Sequence, residues 1–129
     1  QPLPAHIHLE QYIPQTLLLP HCDAILFHGG YNSLHSALWH GLPMVITPLG
    51  AGDQYPTGLL CEKLGAGVMV KEQPPAPAAI RAALNAVIEQ PTYRAQAHRL
   101  QHDLKALPNL SEAVKRLEIL AHTGLPQSS

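Results

Sequence analysis

The apolar residues in the first half of this chain fall in short unbroken runs, and that pattern narrows the possible folds more than any other feature. Ile7-His8-Leu9, Ala24-Ile25-Leu26-Phe27, Met44-Val45-Ile46-Thr47 and Gly67-Val68-Met69-Val70 each read as a strand. Strands with one wet face alternate apolar and polar residues, whereas strands covered on both faces read as continuous apolar runs. Segments of helical length separate them, at residues 15–21, 31–40 and 54–64. In the second of these, Leu34, Ala37 and Leu38 share one face, and in the third Leu60 and Leu64 align ahead of a stop at Gly65. Strand, helix and strand joined by short connections give right-handed βαβ units and a parallel sheet.

The remainder is helical in period. Helices are expected near 78–89, 92–106 and 111–122, punctuated by Pro91 and Pro108, with Ser111 and Glu112 as a capped start for the last. Ile80, Leu84, Val87 and Ile88 form a packing stripe on the first. The tract Gln73-Pro74-Pro75-Ala76-Pro77 reads as a connector. The expected organisation is one domain: an α/β core over residues 1–72, a helical part of the same domain over 73–123, and a frayed tail over 124–129. Four strands beginning at Ile7 leave an open sheet edge that more chain or a partner would have to cover. The fold class is therefore a Rossmann-like parallel sheet with flanking helices, truncated on its N-terminal side.

Composition excludes several functions. At 129 residues there is room for one core. A formal net charge of −1 gives no electrostatic footprint for nucleic acid or anionic membrane, and 5% aromatic residues argue against a base-stacking platform. No apolar run approaches the roughly 20 residues of a membrane span, and residues 1–14 lack the pattern of a signal peptide. The expectation is a cytoplasmic protein. Cys22 and Cys61 stand alone and read as structural thiols. The nine histidines have irregular spacing with no metal-ligand motif, so no metal and no cofactor are expected.

The segment Phe27-His28-Gly29-Gly30-Tyr31-Asn32-Ser33-Leu34 lies where a strand ends and a helix begins. Gly29 and Gly30 permit a tight turn and close approach of backbone to ligand. The first amides of the helix have no intrahelical partners, and the macrodipole adds partial positive charge there. With His28, Asn32 and Ser33 as further donors, the segment suits a diphosphate. Such crevices lie at the carboxyl ends of the strands in open parallel sheets.

Further segments accompany it in order: Tyr12-Ile13-Pro14-Gln15, Leu18-Leu19-Pro20-His21-Cys22-Asp23-Ala24, Ala37-Leu38-Trp39-His40-Gly41-Leu42-Pro43, Pro48 followed by Asp53-Gln54, and Gly65-Ala66-Gly67. Together with the glycine turn they resemble the signature of the UDP-glycosyltransferase superfamily, in particular its bacterial natural-product branch. The likeness covers residues from about 3 to 70. It implies the C-terminal, donor-binding domain of a GT-B glycosyltransferase. By that resemblance Tyr12 takes the place of a base-stacking tryptophan, with Ile13 and Gln15 near the base and ribose. His28, Gly29, Gly30, Asn32 and Ser33 hold the diphosphate. Asp53 and Gln54 hydrogen-bond sugar hydroxyls, and Asp53 also suits an N-cap.

The chain departs from the family pattern at two places. Ser36 stands where plant and animal members carry a glutamate that grips both ribose hydroxyls, a contact serine cannot make; this fits a dTDP-sugar better than a UDP-sugar. Thr57-Gly58 replaces the usual Asn-Ala. The resemblance also implies that the catalytic base is a histidine on an N-terminal acceptor domain, so no catalytic residue is expected in this chain and alone it would turn nothing over. The expected partners are the nucleotide-sugar donor and that N-terminal domain, fused or separate. The alternatives are a GlcNAc-transferase-type subunit acting with a partner chain, a nucleotide-sugar epimerase, and a non-catalytic nucleotide-binding module.

Overall fold

The computed structural model describes residues 3–50 and 52–124. Its elements run α1 (Gln15–Leu18), a 3-10 turn (Leu19–His21), β1 (Ile25–Phe27), α2 (Tyr31–Trp39), β2 (Met44–Ile46), α3 (Gln54–Lys63), β3 (Gly67–Met69), α4 (Pro77–Glu89), α5 (Pro91–Lys105) and α6 (Leu110–Thr123). The strands form one parallel sheet in the order β1-β2-β3, with Ile25 opposite Met44 and Met44 opposite Gly67.

Alternation along the strands builds the two layers of core. Met44 and Ile46 of β2 point to one face, where they meet Phe27, Leu34, Ala37, Cys61, Met69 and Ala97 beneath α2, α3 and α5. Val45 points to the other face and packs with Val70, Ala83 and Val87 beneath α4. β2 is buried along its whole length, which accounts for its unbroken apolar run. The α4 face is narrower than its sequence stripe suggests: Val87 is buried, but Ile88 is 52% exposed because the helix meets the sheet through Ala83 and Val87.

Three of the four expected strands are present. Residues 7–9 form none; their one local bond is from the Ile7 N–H to the Pro4 carbonyl at 2.9 Å, and the stretch is exposed. A strand is a pairing, and among the described residues this segment has no partner. The last helix starts one residue earlier than expected and is capped by Asn109, whose Oδ1 accepts from the Glu112 N–H at 3.0 Å, so Asn109 rather than Ser111 is its cap. The expected tail falls, after Gly124, outside the described residues.

The two sheet edges differ. On the outer edge of β3, Glu62 Oε1 accepts from the outward Met69 N–H at 3.1 Å, and Lys71 Nζ pairs with Glu62 Oε2 at 3.2 Å. A charged side chain thus closes that edge to further strands. On β1, Leu26 is 42% exposed beside a groove of about 450 Å³ that Glu10, Ile13, Leu18 and Ile25 also line. α4 packs on β2 and β3, and among the described residues this face of β1 stays open at Leu26.

Burial raises the Cys61 thiol from 9.0 to about 11. Cys22 is only half-buried, with its thiol toward the Leu18 carbonyl. At pH 8 a disulfide-forming thiol reagent should label Cys22 and reach Cys61 only after denaturant is added. Immediate labelling of both would contradict this packing. Unfolding frees Cys61 to ionise near 9.0, so its contribution to stability is intact below that pH and is lost as pH rises towards about 11.

Candidate functional site

Because the strands are parallel, their carboxyl ends share one edge of the sheet, and three loops leave it there: 28–30, 47–53 and 70–76. The first makes the tight turn expected of it. Gly29 is buried at φ +97°, and a Cβ there would stand 2.8 Å from the Gln54 carbonyl oxygen and 3.1 Å from Ile46 Cγ2. Only glycine lets this loop lie against the start of α3. That contact brings the His28–Gly30 turn and the Asp53-Gln54 pair side by side.

Gly30 occupies the N-cap of α2 in extended conformation, with no side-chain cap. A Cβ on it would meet His28 Nε2 at 2.6 Å, so the imidazole is folded back against the N-cap residue of α2. The first intrahelical bond runs from the Leu34 N–H to the Gly30 carbonyl at 3.1 Å. Among the described residues, the amides of Tyr31, Asn32 and Ser33 have no hydrogen-bond partner. Asn32 is exposed and Ser33 half-buried on that first turn. Three free amides, the helix dipole, an imidazole and two polar side chains form a concentrated set of donors.

Asp53 sits at the N-cap of α3, but its carboxylate makes no capping bond, contrary to expectation. Its backbone is at ψ 0° instead of the extended conformation from which a cap reaches the second and third amides. The exposed carboxylate therefore remains available to a ligand. Gln54 is already half engaged: its Oε1 accepts from the Leu49 N–H at 2.7 Å. Its amide nitrogen and the second lone pair of Oε1 are left to meet a sugar hydroxyl. At Gly58 a Cβ would meet the Met69 side chain, whose thioether end would have to shift to admit the alanine of the family pattern.

The residues expected at the nucleoside are more dispersed. Tyr12 is 81% exposed. Ile13 and Gln15 line the groove beside β1, while Ser36 lines a separate cavity of about 260 Å³ with Thr16, His35, Trp39 and His40. The two groups are not brought into one pocket. Trp39 is held by α5: Gln101 Nε2 donates to its carbonyl at 2.7 Å, and Lys105 Nζ lies 5.5 Å from its ring centroid. Asp23 pairs with Arg94 at 3.1 Å, a structural role. Among the described residues no cluster of His, Cys, Asp and Glu could hold a metal ion, and no helix is long and apolar enough to cross a membrane.

The third loop was missed in the sequence. Gln73 Nε2 donates to the Pro48 carbonyl and so ties the loop after β3 to the loop after β2. The rule that parallel sheets bind ligands where all the carboxyl-end loops gather would have directed attention to it.

The fold and its carboxyl-edge loops define a Rossmann-like domain of the GT-B C-terminal type. The chain belongs to the family described as erythromycin biosynthesis protein CIII-like, C-terminal domain, whose model matches residues 1–120. It is 34% identical over 118 residues to 4'-demethylrebeccamycin synthase of Lentzea aerocolonigenes, covering 92% of this chain and 28% of that protein. It is also 34% identical over 122 residues to 3-alpha-mycarosylerythronolide B desosaminyl transferase of Saccharopolyspora erythraea, again covering 92% of this chain and 28% of the relative. Among solved structures, the spinosyn forosaminyltransferase SpnP superposes with a TM-score of 0.89 at 25% identity, over 95% of this chain and 33% of that one. The glycosyltransferase VinC, solved in complex with dTDP, gives 0.86 at 30% identity, over 94% of this chain and 30% of its own. The chain thus spans 28% of the length of these two curated relatives.

Proposed function

We propose that this chain is the nucleotide-sugar-binding half of a glycosyltransferase that moves a hexose from a nucleoside diphosphate to a hydroxyl-bearing small molecule. The observation that carries the reading is that, among the described residues, the amides of Tyr31, Asn32 and Ser33 have no partner beside the His28 ring, and the Asp53 carboxylate, next to the Gln54 that Gly29 packs on, makes no capping bond. His28, Gly29, Gly30, Asn32 and Ser33 take the diphosphate, and Asp53 with the Gln54 amide takes the sugar. Tyr12, Ile13, Gln15 and Ser36 flank the nucleoside. Fixed donors aimed at the departing diphosphate stabilise the charge that develops there, without a metal. Residues 1–72 carry the donor site, and 73–123 complete the same domain.

The acceptor and the base that deprotonates it come from an N-terminal domain, fused or separate. The bare face of β1 beside a closed β3 edge supports a larger assembly. Chemistry therefore requires that second half, and this chain binds donor without turning it over.

Ser36 directs the choice of nucleotide. Bound UDP would present a ribose 2′-hydroxyl that Ser36 can meet with one hydrogen bond at most, and a buried hydroxyl left short of its hydrogen bonds costs about 1–3 kcal/mol. dTDP has no such group. Calorimetric titration should show dTDP binding at least roughly fivefold tighter than UDP. UDP binding more tightly would overturn the Ser36 argument alone. Failure of both nucleotides to bind would overturn the donor-site reading itself.

A further inference from the structure

We infer that Gln73 is a positioning residue for sugar recognition, acting through the loop that carries Asp53; this rests on the donor-site reading above. The loop leaves β2 after the buried residues Thr47 and Pro48, and Leu49, Gly50, Gly52 and Asp53 are exposed. Gly50 and Gly52 within it have φ of +86° and +56°, and a Cβ on either would meet nothing within 4 Å, so this stretch stands away from the body of the domain. Two glutamines hold its root. Gln54 Oε1 takes the Leu49 N–H at 2.7 Å, and Gln73 Nε2 donates to the Pro48 carbonyl. The first bond is local to the loop and α3. The second reaches across from the segment after β3, which β3 fixes by pairing Met44 with Gly67 and Ile46 with Met69. The Thr47 N–H already donates to the Phe27 carbonyl of β1 at 2.9 Å, and Gln73 adds the tie one residue further out, from the β3 side.

A buried backbone carbonyl deprived of its donor is costly, and a loop released at its root regains conformational freedom that sugar binding must remove again. The His28–Ser33 cradle is built on β1 and α2, and it meets the second loop where Gly29 lies against the Gln54 backbone, at the α3 end of that loop and away from the Pro48 root. Loss of the Gln73 donor should therefore weaken the contact with the sugar and spare the contact with the diphosphate.

The test is calorimetric titration of the whole chain with dTDP and with dTDP-glucose, together with melting temperatures. Gln73→Glu keeps size and removes the donor; Gln73→Lys restores a donor of similar reach. The expected result is dTDP-glucose bound about five- to tenfold more weakly by Gln73→Glu, dTDP unchanged, and recovery in Gln73→Lys. Unchanged dTDP-glucose affinity in Gln73→Glu, or no recovery in Gln73→Lys, overturns the inference. Equal weakening of both ligands, or loss of the folded state, assigns Gln73 to general stability and overturns it as well. An unaltered chain that binds neither ligand fails the donor-site reading, and this inference falls with it. An unaltered chain that binds dTDP while every Gln73 variant behaves alike removes this inference only.

Discussion

Replacing Gly29 with alanine is expected to destabilise the chain by about 2–6 kcal/mol, enough to lower its melting temperature by roughly 8–25 °C. Two costs add. At φ +97° an L side chain is strained, a penalty of about 1–3 kcal/mol. The new Cβ would also lie 2.8 Å from the Gln54 carbonyl and 3.1 Å from Ile46 Cγ2, and the first neighbour is backbone that cannot rotate away. Overpacking of this kind costs about 1–3 kcal/mol more. Gly50→Ala provides the control, because its φ of +86° carries comparable strain while nothing lies within 4 Å. Thermal unfolding followed by circular dichroism should place Gly29→Ala well below Gly50→Ala. Equal losses would mean that the loop after β1 does not press on α3, and the adjacency of diphosphate and sugar residues would lose its structural basis.

That adjacency was only partly legible in the sequence. The glycine pair, the strand before it and the helix after it were visible because each follows from local chemistry: apolar runs, a tight turn, a helical stripe. Asp53 and Gln54 were visible only through the family likeness, since nothing local says which residue the turn faces. The Gln73 tie spans 25 positions and starts in a proline-rich tract that reads as a connector. Hydrogen bonds of that range leave no periodic trace in a sequence.

Where the expectations failed, tertiary context decided. Residues 7–9 have the composition of a strand, but a strand exists only against a partner. Asp53 stands at a helix start, where an acid normally caps, yet its backbone conformation keeps the carboxylate from the amides. Ser111 was a sound cap by residue type, and Asn109 takes the position because the helix begins at Leu110. The composition of a helix start identifies the candidates, and the backbone angle selects among them.

The unengaged carboxylate at α3 leads to the second large effect. Asp53→Ala should lower the affinity for a dTDP-hexose roughly tenfold and leave melting temperature and dTDP affinity almost unchanged. A charge-assisted hydrogen bond contributes about 1.5–3 kcal/mol, and the lower end applies to a carboxylate as exposed as this one. A true N-cap replaced by alanine would instead cost about 0.5–2 kcal/mol of stability. The carboxylate makes no capping bond, so that cost should be absent. Asp53→Asn separates charge from shape: it retains one acceptor oxygen and should fall between the unaltered chain and Asp53→Ala in sugar affinity. A melting temperature several degrees lower in Asp53→Ala, with the two ligands affected alike, would return Asp53 to a capping role. The carboxylate could then no longer be counted as the group that distinguishes a nucleotide-sugar from a bare nucleotide.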